Sequence, residues 1–220
     1  MTELLDPNDF IITRKRKKYR FAKFHNATNC FEFDEWTRRP VDIVEIGAGT
    51  AFFSVELAAR YPEKTFVAID VKGDRLQRGA YDALQRGITN VYFVRARADQ
   101  VTELFDRHAV AEIWLNFADP FPRPGSARRR MTHPYFLASY QALLAPHGSL
   151  HIKHDNPAFF CWSLEQLVAT HWTITALSFD LHDTPDEQYL DAKILTSYER
   201  RWLDEARITH YVSAKRAEIS

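Results

Sequence analysis

The sequence predicts a doubly wound α/β fold: one sheet of about seven mostly parallel strands, with helices on both faces. Three observations carry this expectation. Between Val41 and Phe117, short β-branched or aromatic apolar runs alternate with longer amphipathic stretches, the order of parallel strands joined by crossover helices. The first run ends in Gly47-Ala48-Gly49, a tight turn of the kind that opens a helix beside a ligand. With 220 residues, 45% of them apolar, the chain is long enough to bury one substantial core.

Strands are expected at Val41 to Ile46, Thr65 to Asp70, Val91 to Val94, Glu112 to Phe117, Ser149 to Lys153, Trp172 to Phe179 and Ile208 to Ser213. Helical spacing begins near Phe52, Asp74 and Asp99, each stretch long enough for a crossover. Further helices are expected over Pro134 to Leu144, Pro157 to Thr170 and near Tyr198 to Glu205, with Pro146 to Gly148 as a stop signal. No repeat or linker divides the chain. The domain reading is a basic arm and entry segment over residues 1–40, then one domain over 41–220.

Basic and acidic side chains balance at 29 each, so no overall field draws the protein toward polyanions. Basic charge is local instead: Arg14, Lys15, Arg16, Lys17, Lys18 and Arg20 form one cluster and Arg128, Arg129 and Arg130 another. Such runs are most often solvated surface. Cys30 and Cys161 lack metal-ligand spacing and read as reduced thiols of a cytoplasmic protein. The N-terminus does not read as a secretory signal, and no 18-residue apolar stretch predicts a membrane span. His151 and His154, three apart on a strand, face opposite sides and do not suggest a metal site. Trp114, Trp162, Trp172 and Trp202 read as core or half-buried aromatics.

The glycine turn narrows the ligand. A dinucleotide fingerprint needs a third glycine three places after the second, where the helix meets a pyrophosphate, and Phe52 stands there instead. S-adenosylmethionine has no pyrophosphate and tolerates that change. Asp70 ends the second strand about twenty residues on, where a carboxylate accepts hydrogen bonds from both ribose hydroxyls. Glu45 is placed to face the amino-acid end of the same cofactor. The plainer alternatives are a turn-forming Asp70 and a solvated or helix-capping Glu45.

The fourth strand delivers Asn116-Phe117-Ala118-Asp119-Pro120-Phe121-Pro122-Arg123 to the carboxyl edge of the sheet. Pro120 and Pro122 limit backbone freedom, so Asp119 can be held in one geometry. An ordinary Asp-Pro turn is the competing explanation.

Several separated motifs now bear comparison with a known family. Glu45 to Gly49, Asn116 to Arg123, Arg128 to Met131, Lys153-His154-Asp155-Asn156 and Thr196-Ser197-Tyr198-Glu199 resemble, in order, motifs of the bacterial tRNA (guanine-N7)-methyltransferases. The likeness runs from about Val41 to Val212. It implies a Rossmann-like class I methyltransferase domain that uses S-adenosylmethionine to methylate N7 of a tRNA guanine, position 46 of the variable loop. It places Glu45, Gly47, Gly49, Asp70, Asn116 and Asp119 around the cofactor, with Asp119 also the active-site acid. Arg97 and Ala98 fall where the family contacts the adenine through an acid or amide; with arginine at 97, backbone groups or Asp99 take that contact. Arg123, Asp155, Thr196 and Glu199 are implied to contact the guanosine or its surroundings. Arg123 for Lys, Phe121 for Trp and His154 for Thr are further departures.

N7 carries a lone pair and no proton, so positioning and charge stabilisation matter more than a strong base. Under the same reading, Arg14, Lys15, Arg16, Lys17 and Lys18 form a phosphate-binding arm, and Arg128, Arg129 and Arg130 contact the RNA near the reaction centre. Oligomeric state is open between monomer and homodimer. Two rival readings stand: an amino-group nucleic-acid methyltransferase, whose Asp/Asn-Pro-Pro-aromatic motif appears here in scrambled order, and a non-catalytic RNA-binding protein on the same fold.

Overall fold

The computed structural model describes residues 4–11, 15–185, 187–202, 205 and 207–216. Its strands are β1 (Cys30–Glu32), β2 (Ile43–Ile46), β3 (Phe66–Asp70), β4 (Val91–Arg95), β5 (Val110–Asn116), β6 (Leu144–His154), β7 (Trp172–Ser178) and β8 (His210–Arg216). They form one sheet in the order β1-β4-β3-β2-β5-β6-β8-β7. All pairings are parallel except those of β8, which runs antiparallel between β6 and β7. The order of strand addition reverses at β2, with β3 and β4 on one side and β5 and β6 on the other, so the crevice between the β2 and β5 ends is the switch point where such sheets take ligands.

The helices are α1 (Lys15–Asn26), α2 (Phe52–Arg60), α3 (Gly73–Gln85), α4 (Val101–Leu104), α5 (Pro134–Leu143), α6 (Pro157–Ala169) and α7 (Glu199–Trp202). Period-two alternation along the strands divides the core between two faces. Val44, Ile46, Ile113, Leu115, Leu150 and Ile152 pack against α4, α5 and α6, whereas Ile43, Phe66, Ala68, Phe93, Trp114 and Tyr211 pack against α1, α2 and α3. Leu181, Tyr189, Ala192 and Ile194, from the irregular segment before α7, close the second face. No helix among the described residues is long and apolar enough to cross a membrane.

Three features differ from the sequence expectation. An eighth strand, β1, comes from before residue 41 and pairs with β4, while α1 packs against α3. Its three residues are too few to show an alternating pattern. The crossover after β4 shrinks to a 3-10 turn and the four-residue α4, because Trp36 and Arg38 side chains take the Leu104, Glu103 and Thr102 carbonyls and end the helix there. Strand β6 starts at Leu144, directly after α5, and Pro146 to Gly148 lie within it beside a register irregularity facing Val110 and Glu112. Among the tryptophans, Trp114 and Trp172 are buried and Trp162 is half-buried.

Strand β6 also carries a charge into the core. The Lys153 side chain is fully buried, and its Nζ donates to the Ala192 and Ile194 carbonyls at 2.8 and 2.9 Å and to Glu199 Oε2 at 2.9 Å. Glu199 also accepts from the Thr196 amide at 2.7 Å and meets His182 Nε2 at 3.1 Å. Burial alone raises the carboxyl pKa, but the His182 bond, the Lys153 charge and the Thr196 amide outweigh it and hold Glu199 below its ordinary value. Its stabilising contribution is therefore present above the unfolded carboxylate pKa and fades as pH falls through the lower folded value. Lys153→Met leaves Glu199 buried without its cation and should lower stability by about 3–5 kcal/mol, read as a shifted denaturation midpoint. Adding Glu199→Gln should restore part of that loss. An unshifted midpoint in the single variant would show that the pair anchors nothing.

Candidate active site

A cavity of about 820 Å³, counting the space open to solvent, lies across the carboxyl ends of β2, β3, β4 and β5. Its floor is the glycine turn. Gly47 and Gly49 both adopt left-handed backbone, at φ 78° and 57°, which glycine accepts without strain. The turn is fixed from β3: Gly47 and Ala48 amides donate to the Ile69 carbonyl at 2.8 and 2.9 Å, and the Gly49 amide donates to Asp70 Oδ2 at 2.8 Å. Asp70 Oδ1 accepts from the Lys72 amide at 2.8 Å. The carboxylate thus shapes the turn, and each oxygen keeps a second lone pair for a ligand.

Glu45 is buried beneath the turn. Its Oε2 accepts from Ser54 Oγ at 2.6 Å and its Oε1 from Asn116 Nδ2 at 2.8 Å. Burial pushes its carboxyl up to about 7, against the pull of Ser54, Asn116 and the Lys153 charge. Asn116 Oδ1 is buried on the same wall and has no hydrogen-bond partner among the described residues. An orphaned acceptor beside a buried acid calls for a donor, and cationic donors suit it best.

Apolar walls complete the cavity through Phe52, Phe53, Ile69, Val71, Ala96, Ala98 and Met131. That set fits S-adenosylmethionine. Asp70 could take ribose hydroxyls, Glu45 and Asn116 the amino-acid ammonium, and Ala98 with its apolar neighbours the adenine. Arg97 is exposed, pairs with Asp99 at 2.8 Å and does not line the cavity, although its neighbour Ala98 does.

Asp119 lies on the cavity wall with its side chain exposed. The backbone around it is unusual: Phe117 and Phe121 take φ 53° and 39°, values a bulky residue rarely holds. Arg123 is exposed and precedes the short 3-10 turn Pro124–Arg129, with no capping bond from its side chain. Arg128 and Arg129 are exposed, with the Arg129 guanidinium 4.2 Å from the Phe121 ring centroid. The Arg130 guanidinium turns inward, donating to the Phe121 carbonyl at 3.1 and 3.3 Å. Lys17 is exposed and Lys18 half-buried on α1; Lys15 and Arg16 open that helix, and Arg14 lies outside the described residues.

The Thr196 to Glu199 motif turns out to be a capping box. Thr196 Oγ1 accepts from the Glu199 amide at 3.2 Å and Glu199 answers through the Thr196 amide. Thr196 lines the cavity, whereas Glu199 is buried behind it on Lys153. Asp155 lies off the cavity wall, paired with Arg207 at 3.2 Å. The structure therefore gathers Glu45, Gly47, Gly49, Asp70, Ala98, Asn116, Asp119 and Thr196 around one cavity and leaves Arg97, Arg123, Asp155 and Glu199 outside its lining.

Sequence reasoning missed the wall opposite the glycine turn. Thr50 Oγ1 donates to Ser197 Oγ at 3.0 Å and Arg75 Nη1 to Tyr198 Oη at 3.1 Å, drawing the segment before α7 over the cofactor cavity. Ser197 and Tyr198 sat inside a recognised motif, so their proximity to the site was available as a signal. Arg75 carried none.

The chain matches a family model described as a putative methyltransferase over residues 39–211. It is 35% identical over 171 residues to the tRNA (guanine-N(7)-)-methyltransferase of Brevibacillus brevis, covering 78% of each chain. The enzyme of that name from Staphylococcus carnosus is 31% identical over 86% of this chain and 89% of its own, and that from Lachnoclostridium phytofermentans 30% over 97% and 94%. Solved structures share the fold at lower identity. The 16S rRNA methyltransferase KamB superposes with TM-score 0.60 at 14% identity, over 84% of this chain and 90% of that one. The 16S rRNA (adenine(1408)-N(1))-methyltransferase from Catenulisporales acidiphilia gives 0.57 at 18%, over 100% and 97%. Matched by the family model over residues 39–211 and by relatives at 30–35% identity across most of its length, the chain belongs to the methyltransferase family that includes the enzymes named tRNA (guanine-N(7)-)-methyltransferase.

Proposed function

We propose that this chain transfers a methyl group from S-adenosylmethionine to N7 of a guanine in tRNA, at position 46 of the variable loop, as a cytoplasmic enzyme. The observation that carries the reading is Asp119 on the wall of a cavity whose other residues suit that donor. When bound, the donor supplies an electrophilic sulfonium methyl. The chain's own residues then have two tasks: to aim the guanine along the sulfur-carbon axis, and to meet the positive charge that grows on the purine.

Asp119 suits the second task, since its carboxylate is exposed at the end of β5 and needs no proton transfer to act. The guanine itself is best offered Asp119, Thr196 and the rim cations rather than Glu199, whose oxygens are engaged by Lys153, His182 and Thr196. Arg123, Arg128 and Arg129, exposed around the loop, and the basic face of α1 with Lys17 and Lys18 support contact with phosphates. Neither Asp155 nor Arg97 lines the cavity; Asp155 pairs with Arg207 and lies 3.4 Å from His154, and Arg97 pairs with Asp99.

Of the rival readings, the amino-group methyltransferase is disfavoured by the loop itself. Phe121 follows one proline instead of two, and Arg129 covers one face of its ring, leaving it poorly placed to stack a flipped base. A non-catalytic RNA-binding role leaves Glu45 and Asn116 buried without purpose.

Asp119→Ala should lower tRNA methylation at least about 100-fold, a loss typical of removing one charge-stabilising group, with circular dichroism unchanged. A folded variant keeping more than about a tenth of wild-type rate would remove Asp119 from that role. Glu45 generates a separate expectation. Because its pKa sits at about 7 without ligand and a cation favours its ionised form, affinity for S-adenosylmethionine should rise as pH increases through about 7. Calorimetric titration across that range should show the rise in wild type and a flat profile in Glu45→Gln. A pH-independent wild type would mean that Glu45 does not meet the donor's ammonium.

A further inference from the structure

We propose that Arg130 and His154 are positioning residues that hold the Asp119 segment in its working geometry, a proposal that rests on the methyltransferase reading above. Asp119 sits between two backbone positions that bulky residues rarely occupy, Phe117 and Phe121 at φ 53° and 39°. Such a conformation persists only where surrounding contacts over-determine it, and otherwise relaxes, carrying the intervening side chain with it.

Here the segment is held at both ends through its carbonyl oxygens. On one side, His154 Nε2 lies 2.8 Å from the Ala118 carbonyl, immediately before Asp119. The histidine's other nitrogen, Nδ1, lies 2.8 Å from the Asn156 amide and must accept from it, so the proton is on Nε2 and is donated to Ala118. Burial lowers the His154 pKa and keeps the ring neutral in that tautomer. On the other side, Arg130 Nε and Nη2 converge on the Phe121 carbonyl.

Both clamps are braced by the first turns of α6. The His154 ring packs on Phe159 at 4.4 Å between centroids, and the Arg130 guanidinium lies 4.4 Å from the Trp162 ring centroid. A planar guanidinium can stack on an indole and fork onto one oxygen at once, which an ammonium cannot. Arg130 thereby differs from Arg128 and Arg129, which remain exposed, although all three read alike as an RNA-contacting run.

The test separates a clamp from a phosphate contact by splitting turnover from binding. Wild type, Arg130→Lys, Arg130→Met, His154→Leu and His154→Gln are assayed at saturating tRNA and S-adenosylmethionine, with tRNA affinity measured against salt and folding followed by circular dichroism. Arg130→Lys keeps the charge and loses the fork, so its kcat should fall at least about tenfold while tRNA Kd and its salt slope stay within twofold of wild type. His154→Leu should fall similarly, and His154→Gln, whose amide can donate from the Nε2 position, should recover most of the loss. If Met or Leu prevents folding, the Lys and Gln variants carry the test.

Full activity in Arg130→Lys, together with weaker tRNA binding and a salt slope reduced by about one in Arg130→Met, would make Arg130 a phosphate contact and overturn the proposal. Equal losses in His154→Leu and His154→Gln would overturn the histidine clamp. A wild type that leaves tRNA unmethylated overturns the functional reading and this proposal together, and is distinguished by failing before any variant is compared.

Discussion

The buried pair between Lys153 and Glu199 is the constraint on which the site's second wall depends. A lysine with its side chain wholly out of water is costly, and the attraction of one carboxylate seldom does better than an apolar pair of equal volume would. What the arrangement supplies is placement. Besides Glu199, the ammonium satisfies the Ala192 and Ile194 carbonyls, three points along a segment with almost no regular structure. The lysine ties that segment to β6, beside its own turns such as Lys193 amide to Tyr189 carbonyl, and the capping box at Thr196 turns its end into α7. Thr196, Ser197 and Tyr198 are thereby delivered to the cavity, where Thr50 and Arg75 meet them.

The same strand serves the opposite wall. Lys153 accepts the Phe117 amide through its own carbonyl at 2.9 Å, and the next residue, His154, reaches Ala118. Because side chains alternate across a strand, adjacent residues at the end of β6 act on opposite faces of the sheet, one ordering the segment before α7 and the other the loop after β5. The two acids of the site have different surroundings. Glu45, within β2, is enclosed by protein donors and pushed up to about 7, whereas Asp119 stands beyond the end of β5 with its carboxylate open to solvent. Under the proposed function, the first would respond to a bound cation and the second would remain available for the incoming base.

The α/β alternation, the glycine turn and the acids at strand ends were legible in the sequence because each is written in a short local pattern. Seven of the eight strands and the helices α2, α3, α5 and α6 follow from such patterns, whereas α1 reads as an arm. β1 was not legible, since three residues cannot display a period and its place in the sheet is set by packing of α1 and Trp36 on distant elements. The roles within recognised motifs were harder still. Glu199 and Asp155 look like base-reading acids in sequence, yet long-range partners, Lys153 and Arg207, decide where their oxygens point. Charge identity reads from sequence, whereas charge availability depends on contacts dozens of residues away.

That distinction also changes the meaning of the basic runs in a chain whose formal charge is zero. The N-terminal cluster reads as an arm, but from Lys15 it is a helix packed on α3, with Phe24 among the buried residues and Lys23 lying 5.1 Å from the Tyr81 ring centroid. A flexible arm gives up conformational entropy each time it orders on a phosphate backbone, whereas cations fixed on a docked helix have already lost that freedom during folding. The arginine run divides in the same way, between Arg128 and Arg129 at the surface and Arg130 turned beneath the loop. With no net field to concentrate RNA, the proposed RNA contact would have to rest on a small number of such pre-placed cations. Cations held in fixed relative positions would let such a surface select RNA by shape as well as by charge.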